Sequence, residues 1–287
     1  MKHLYTIAVS DSVRMMRKAL YFIVLLIYFQ PGYAQSKGKV FTSMAQALAT
    51  PAAVTSLNLK GQNLTVLPAD IEKLSNLESL DLSYNALTTL PPQLFKLKKL
   101  KKLALNNNAM VSLPADMSAL VSLLSLRLDV NPFTNPAGEL KKVATISTLS
   151  ELNFSANKVN SFPVELLRLT HLSDLDLGYG TIKELPKDID KLTNLKRLVL
   201  TKNAITSFPL SFFKLPKLRN LDLSYCSFTR LQEEFINLSL DVLDISYNKS
   251  LTSVPAIKGL RYINIKGTKL DADKLKWSLG EGSMIMM

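Results

Sequence analysis

The chain has 287 residues and a formal net charge of +12, with one cysteine and two histidines. The single cysteine, Cys226, excludes an intramolecular disulfide, and so few histidines leave little from which to build a metal pair. The surplus of lysine and arginine raises nucleic-acid binding as a possibility, which the placement of those residues decides.

The chain opens on a segment laid out like a secretory signal. Arg17 and Lys18 precede eleven mostly apolar residues, Ala19 to Phe29, and then Gln30, Pro31 and the small-residue run Gly32, Tyr33, Ala34. The apolar run falls short of the ~17 residues a spanning helix needs at minimum. Cleavage near Ala34 is therefore expected, with export to the periplasm, the cell surface or the medium and no stable membrane span afterwards. An uncleaved anchor is the alternative. The stretch before Met15 is a poor basic lead-in, with Lys2 and Arg14 against Asp11, which leaves Met15 and Met16 as alternative initiators. Loss of residues 1–34 removes four positive charges and one negative, so the mature chain stays basic at +9. Residues 35–53 read as an N-terminal cap. Thr42 and Ser43 lead into Met44, Ala45, Ala47 and Leu48, a short helix stopped before Pro51.

From 54 to 270 the chain repeats itself about every twenty-three residues as L-x-x-L-x-L-x-x-N-x-L-x-x-L-P. One copy runs through Leu77, Leu80, Leu82, Asn85, Leu87, Leu90 and Pro91, and the next through Leu100, Leu103, Leu105, Asn108, Leu113 and Pro114. Ten copies are marked by Leu57, Leu80, Leu103, Leu126, Leu152, Leu175, Leu198, Leu221, Leu243 and Ile263. A unit this short cannot bury its own apolar face, so it must stack on its neighbours as a solenoid. The L-x-L core alternates as a half-buried strand does, and stacked copies give one parallel sheet. Ten strands at about 4.8 Å spacing make a face on the order of 45 Å long, enough for an ordinary protein interface.

The pattern is similar to leucine-rich repeats of the 23-residue type. That resemblance implies an α/β fold, a right-handed horseshoe with about ten parallel strands on its concave side and short helical or 3-10 segments on its convex side. It also implies an interaction surface rather than a catalytic centre.

Where each strand turns, inward backbone groups lie beyond the reach of water, and asparagine answers them because its amide both donates and accepts. The ladder reads Gln62, Asn85, Asn108, Asn131, Asn157, Gly180, Asn203, Cys226, Asn248, Thr268. Gln62 and Thr268 suit terminal units with one neighbour. Gly180 brings no side chain, so a bridging water or local looseness is expected there. The return leg starts at Pro68, Pro91, Pro114, Pro163, Pro186, Pro209 and Pro255, with apolar residues three and six positions later in most copies.

One unit departs: Asn131 to Asn157 spans twenty-six residues, and the insert from Asn135 to Val143 has Asn135 and Pro136 as helix-starting residues. Neutral length variation and a partner-binding bump are both open for it. Residues 271–287 read as the C-terminal cap, where Asp271 to Leu279 could form a helix with Leu275, Trp277 and Leu279 over the last repeat.

The outward strand positions hold Lys60, Lys102, Arg127, Arg197 and Lys266 against Asp81, Asp129, Glu151, Asp174, Asp176, Asp222 and Asp244. The concave face is thus near neutral or slightly acidic, and the excess cations fall on the convex side and flanks. A phosphate-binding groove needs clustered cations, so this placement speaks against nucleic acid.

Units eight and nine repeat Asp-Leu-Ser-Tyr and Asp-Ile-Ser-Tyr, which places Asp222 beside Asp244, Ser224 beside Ser246 and Tyr225 beside Tyr247. With Asp176, Tyr179 and Arg197 these form the candidate ligand patch, since tyrosine is enriched at binding hot spots. The plainer reading is that the aspartates keep the sheet polar while the tyrosines cover the rim. Cys226 sits at a ladder position and reads as a buried substitute for asparagine, not a nucleophile. His171 has no second imidazole for a metal pair once the leader is removed, no phosphate-cradling glycine loop is present, and no cofactor is expected. The expected function is non-catalytic recognition of a protein or a cell-surface polymer. The alternative is an intracellular scaffold, similar to Ras-pathway adaptors with repeats of the same length. An enzyme or a fused effector comes third.

Overall fold

The computed structural model describes residues 39–257, 259–279 and 283–287, with the backbone alone for 276–279. The leader, its cleavage point and the alternative initiators lie outside the described residues, as do the side chains of Trp277 and Leu279. Twelve short strands stack in chain order into one sheet, every neighbouring pair parallel. They are β1 (Val40–Phe41), β2 (Ser56–Asn58), β3 (Ser79–Asp81), β4 (Lys102–Ala104), β5 (Ser125–Arg127), β6 (Glu151–Asn153), β7 (Asp174–Asp176), β8 (Arg197–Val199), β9 (Asn220–Asp222), β10 (Val242–Asp244), β11 (Tyr262–Asn264) and β12 (Met284–Met286).

Strands β2 to β11 are the ten repeats. The outer two, β1 and β12, come from the caps, so the sheet is two strands longer than the repeat count predicts. The reason is the open edge of a parallel stack, whose N–H and C=O groups otherwise go unpaired. Helix α1 (Met44–Ala49) follows β1 with Ser43 as N-cap, its Oγ accepting from the Gln46 amide at 3.2 Å. Helix α3 (Ala272–Leu279) follows the last repeat, and its Leu275 is buried in the core.

The marker residues Leu57 through Ile263 fall into one register column and are all 2% exposed or less. Each fully buried leucine or isoleucine contributes about 1.5–3 kcal/mol, and the gain is realised only when neighbours stack. The convex legs are mainly short 3-10 turns, among them Ala69–Lys73, Pro92–Lys96 and Val164–Arg168. Their spacing has a simple cause. The apolar residue three after the proline donates to the proline carbonyl, as Ile71 does to Pro68 at 3.1 Å, and the leucine three further on donates to that residue, as Leu74 does to Ile71 at 3.1 Å.

The asparagine ladder binds successive repeats together. Asn108 Nδ2 donates to Leu105 O of its own repeat and to Leu82 O of the one before, both at 3.0 Å, and its Oδ1 accepts from Leu87 N at 3.0 Å. Asn85, Asn131, Asn203 and Asn248 repeat the arrangement. Asn157 keeps both donations, to Phe154 O and Leu128 O, but accepts from Asn131 N across the longer repeat. At the ends, Gln62 Nε2 reaches the cap at Thr42 O (2.6 Å) and Thr268 Oγ1 satisfies Ile265 O of its own repeat (2.7 Å).

Gly180 corrects an expectation. The position is tight, not loose: a Cβ there would lie 2.4 Å from Val159 O and 2.7 Å from Asn203 Oδ1. The Val159 carbonyl of the preceding repeat and the Asn203 side chain of the next leave no room for a side chain at this rung. Gly180→Asn, which restores the repeat pattern in sequence, is therefore expected to destabilise the fold by about 1–3 kcal/mol, as overpacking does. Urea unfolding checks it; a variant as stable as the parent would contradict the geometry.

The insert forms helix α2 (Pro136–Val143), capped by Asn135, whose Oδ1 accepts from Gly138 N at 3.1 Å. Two of its charged residues, Glu139 and Lys142, turn toward the preceding repeat, while Lys141 stays exposed. Glu139, 4% exposed, accepts from Leu113 N at 2.6 Å, and Lys142 Nζ donates to Leu113 O at 2.7 Å and pairs with Glu139 at 3.1 Å. Four repeats later in the convex wall the same clamp recurs with one residue: Gln232 stands where most copies have proline, accepts from Phe208 N at 2.6 Å and donates to Phe208 O at 3.1 Å. Beside it, Phe208 packs on Phe212, Phe228 and Phe235 with ring centroids 4.3, 5.7 and 5.5 Å away.

Candidate functional site

The side chains available on the concave face follow from the register. One row runs Lys102, Ser125, Glu151, Asp174, Arg197, Asn220 across neighbouring strands, and the next runs Arg127, Asn153, Asp176, Val199, Asp222, Asp244, Asn264. Asp222 and Asp244 are direct neighbours, as the repeated tetrapeptides predict. Asp176 is separated from Asp222 by Val199, and Arg197 lies opposite Asp174 in the adjoining row.

The second row has a local task. Its side-chain oxygen accepts from the backbone amide two residues on: Asp81 from Ser83, Asp176 from Gly178, Asp222 from Ser224 and Asp244 from Ser246, each at 2.9 Å. Asn58, Asn153 and Asn264 do the same for Lys60, Ser155 and Lys266. Asparagine and aspartate are interchangeable in this turn, so the turn itself does not require charge. The serine hydroxyls belong to it too. Ser224 and Ser246 are buried, and their Oγ atoms donate to Asp222 Oδ1 at 2.7 Å and Asp244 Oδ1 at 2.6 Å, so they strengthen the turn rather than reach outward.

Burial acts on the carboxyl groups of this face. Asp222 is pushed up to about 7, first by burial and then by the Asp244 carboxylate beside it. Burial likewise raises Asp176, Asp129 and Glu151 above the usual carboxylate range. Arg127 partly offsets this for Asp129, with its Nε 3.3 Å from Asp129 Oδ1.

The rim shows what sequence reading missed. The residue before each ladder position is in the left-handed region: Tyr84, Asn107, Val130, Ala156, Tyr179, Lys202, Tyr225 and Tyr247 at φ between 54° and 59°, and the glycines Gly61 and Gly267 at the two ends. This conformation costs an ordinary L-residue on the order of 1 kcal/mol, and glycine or asparagine relieves it. Tyrosine nevertheless fills four of these places. Tyr84, Tyr179 and Tyr225 are each about half exposed, at 53%, 53% and 51%. Tyr225 and Tyr247 stack with centroids 4.3 Å apart, and Lys202 lies over the Tyr179 ring at 5.2 Å. The constant spacing of the residue before the asparagine carried this signal, but only a backbone angle reveals it.

Cys226 is buried at its ladder position, donates to Leu200 O at 3.5 Å, and is pushed up to about 11 by burial, all of which suits a packed thiol and opposes a nucleophile. Exposed His171 lies on a turn. Among the described residues no cluster of three His, Cys, Asp or Glu is placed to hold a metal ion, and no helix is long and apolar enough to cross a membrane.

A parallel one-layer solenoid with a polar ladder inside and an open, aromatic-rimmed sheet outside defines a repeat protein whose broad surface is built for interaction. The chain belongs to the leucine-rich repeat proteins: residues 53–163 match the model of a leucine-rich repeat region, and 170–228 match that of the leucine rich repeat. No curated protein matches it. Among solved structures it is similar to the leucine-rich repeat domain of the type III effector XopL, at 24% identity and a TM-score of 0.59 over 70% of this chain and 73% of that one. It is similar to internalin C2 from Listeria monocytogenes, at 23% identity and 0.60 over 69% and 83%. The leucine-rich repeat ectodomain of the Arabidopsis receptor kinase HAESA, solved with a peptide hormone, aligns at 26% identity and 0.64 over 86% of this chain and 44% of that one.

Proposed function

We propose that this protein is a non-catalytic recognition module that binds a protein or an extended polymer across its concave sheet, centred on Asp176, Tyr179, Arg197, Asp222, Tyr225, Asp244 and Tyr247. The observation that carries the reading is the placement of tyrosine at left-handed backbone positions, half exposed, where glycine or asparagine would cost less. A large, stiff ring held at that cost gives a rigid anchor with few rotors to freeze. That a receptor ectodomain of similar fold was solved with a peptide ligand supports a peptide or protein as the occupant. Export after cleavage near Ala34 belongs to the same reading, because an extracellular partner needs an extracellular binder.

Tyr225→Ala and Tyr247→Ala should each reduce retention of the native partner by at least about tenfold, the scale of a hot-spot truncation. The fold should hold, since Ala156 occupies the equivalent left-handed place in the fifth repeat. Affinity capture from the source organism, with circular dichroism on each variant, is the check, and retention equal to the parent's sinks the patch. Sequencing the N-terminus of the native protein tests export. A chain starting at Gln35 supports it, and an intact start favours an intracellular scaffold.

A further inference from the structure

We propose that Asp222 and Asp244 act as a proton-sharing carboxyl pair, which makes the concave face a pH-responsive surface. The two residues are direct partners in the register of β9 and β10, about 4.8 Å apart in the direction of strand stacking, and like charges facing each other across strands repel. Neither side chain is free to swing away. Asp222 Oδ1 is held by Ser224 N and Oγ, and Asp244 Oδ1 by Ser246 N and Oγ. Asp244 Oδ2 also accepts from Asn264 Nδ2 at 2.8 Å, whereas no donor among the described residues reaches Asp222 Oδ2. Asp222, with fewer donors around it, is the member of the pair that favours the proton.

The surroundings offer Asp222 little cationic relief. On the β8 side its partner is Val199, with Arg197 in the adjoining row opposite Asp174. Asp176 lies one strand further and adds negative charge, while Tyr225, Tyr247, Lys202 and the buried Cys226 occupy the turns above, with Lys266 beyond Asn264. Burial and the Asp244 charge both disfavour ionisation of Asp222, in keeping with the value of about 7.

The turn could be built with asparagine at 222, as it is at 58, 153 and 264. A titrating pair in its place changes the charge of the proposed binding patch close to neutral pH, and this consequence rests on the concave-face reading. A partner that presents lysine or arginine to the patch is held more tightly above pH 7 than below it.

The sign for folding is opposite. The folded chain keeps a proton that the unfolded chain releases at about pH 4, so stability falls as pH rises from about 4 to about 7. Titration of the aspartate side-chain carbons by NMR on the free protein decides the matter without any ligand. The Asp222 carboxyl should titrate close to pH 7, and Asp244→Asn should lower that midpoint by at least about one unit. Asp222 titrating at about 4 in the parent, or a midpoint unmoved by Asp244→Asn, overturns the pair. The parent's own titration settles the first point even if a variant folds poorly, and partner capture that does not change across neutral pH while Asp222 titrates there tells against the binding reading alone.

Discussion

Asn203→Ala should be among the most damaging ladder substitutions, at about 3–4 kcal/mol, because it stands between two rungs that cannot compensate for it. In the regular part of the ladder each carbonyl has two amide donors. Leu82 O receives Asn85 and Asn108, and Leu105 O receives Asn108 and Asn131. Removing Asn108 therefore strands only Leu87 N and should cost about 1–2 kcal/mol. Around Asn203 the neighbours are Gly180, with no side chain to donate, and Cys226, whose thiol donates weakly at 3.5 Å. Asn203 alone supplies the side-chain donor to Leu177 O and the acceptor for Ile182 N, and it gives Leu200 O its one strong amide. Denaturant unfolding of the two alanine variants measures the difference. Equal losses would mean that the two irregular rungs do not weaken the stack.

This ladder also shows where sequence was informative and where it stopped. The leucine column, the asparagine rungs, Ser43 and Asn135 as helix caps, and the pairing of Asp222 with Asp244 and Tyr225 with Tyr247 were legible because each is a one-dimensional pattern repeated by one geometry. Strands β1 and β12 were not, since Val40–Phe41 and Met284–Met286 carry no repeat signature and pair only because a neighbouring edge is open. Gly180 read as a hole because sequence cannot show that the Val159 backbone closes it. Nothing in the repeat pattern marks Gln232, whose amide clamps both polar groups of Phe208. In the candidate patch, residue identity was readable and role was not. Ser224 and Ser246 share the spacing of a surface motif, yet both are buried in the aspartate turn.

Phe208→Ala should cost about 3–5 kcal/mol, the range for emptying an aromatic site in a core. Its ring is 5% exposed and meets Phe212, Phe228 and Phe235 in stacked and edge-on contacts, with Phe213 6.3 Å away, so truncation leaves a cavity lined by rings too large to collapse into it. Phe208→Leu keeps most of the volume and should lose less than half as much. The location matters as much as the size. Each repeat touches only its neighbours, so the loss should appear as early opening of the convex wall around Phe212–Lys214 and Glu233–Asn237 and of strands β9 and β10, while β3 and β4 keep their protection. Native-state hydrogen exchange distinguishes this from a uniform loss across all twelve strands, which would show that the solenoid unfolds as one unit and that the phenylalanine cluster does not control a local segment. Since β9 and β10 carry Asp222 and Asp244, opening confined to these repeats would also weaken partner capture without unfolding the N-terminal half.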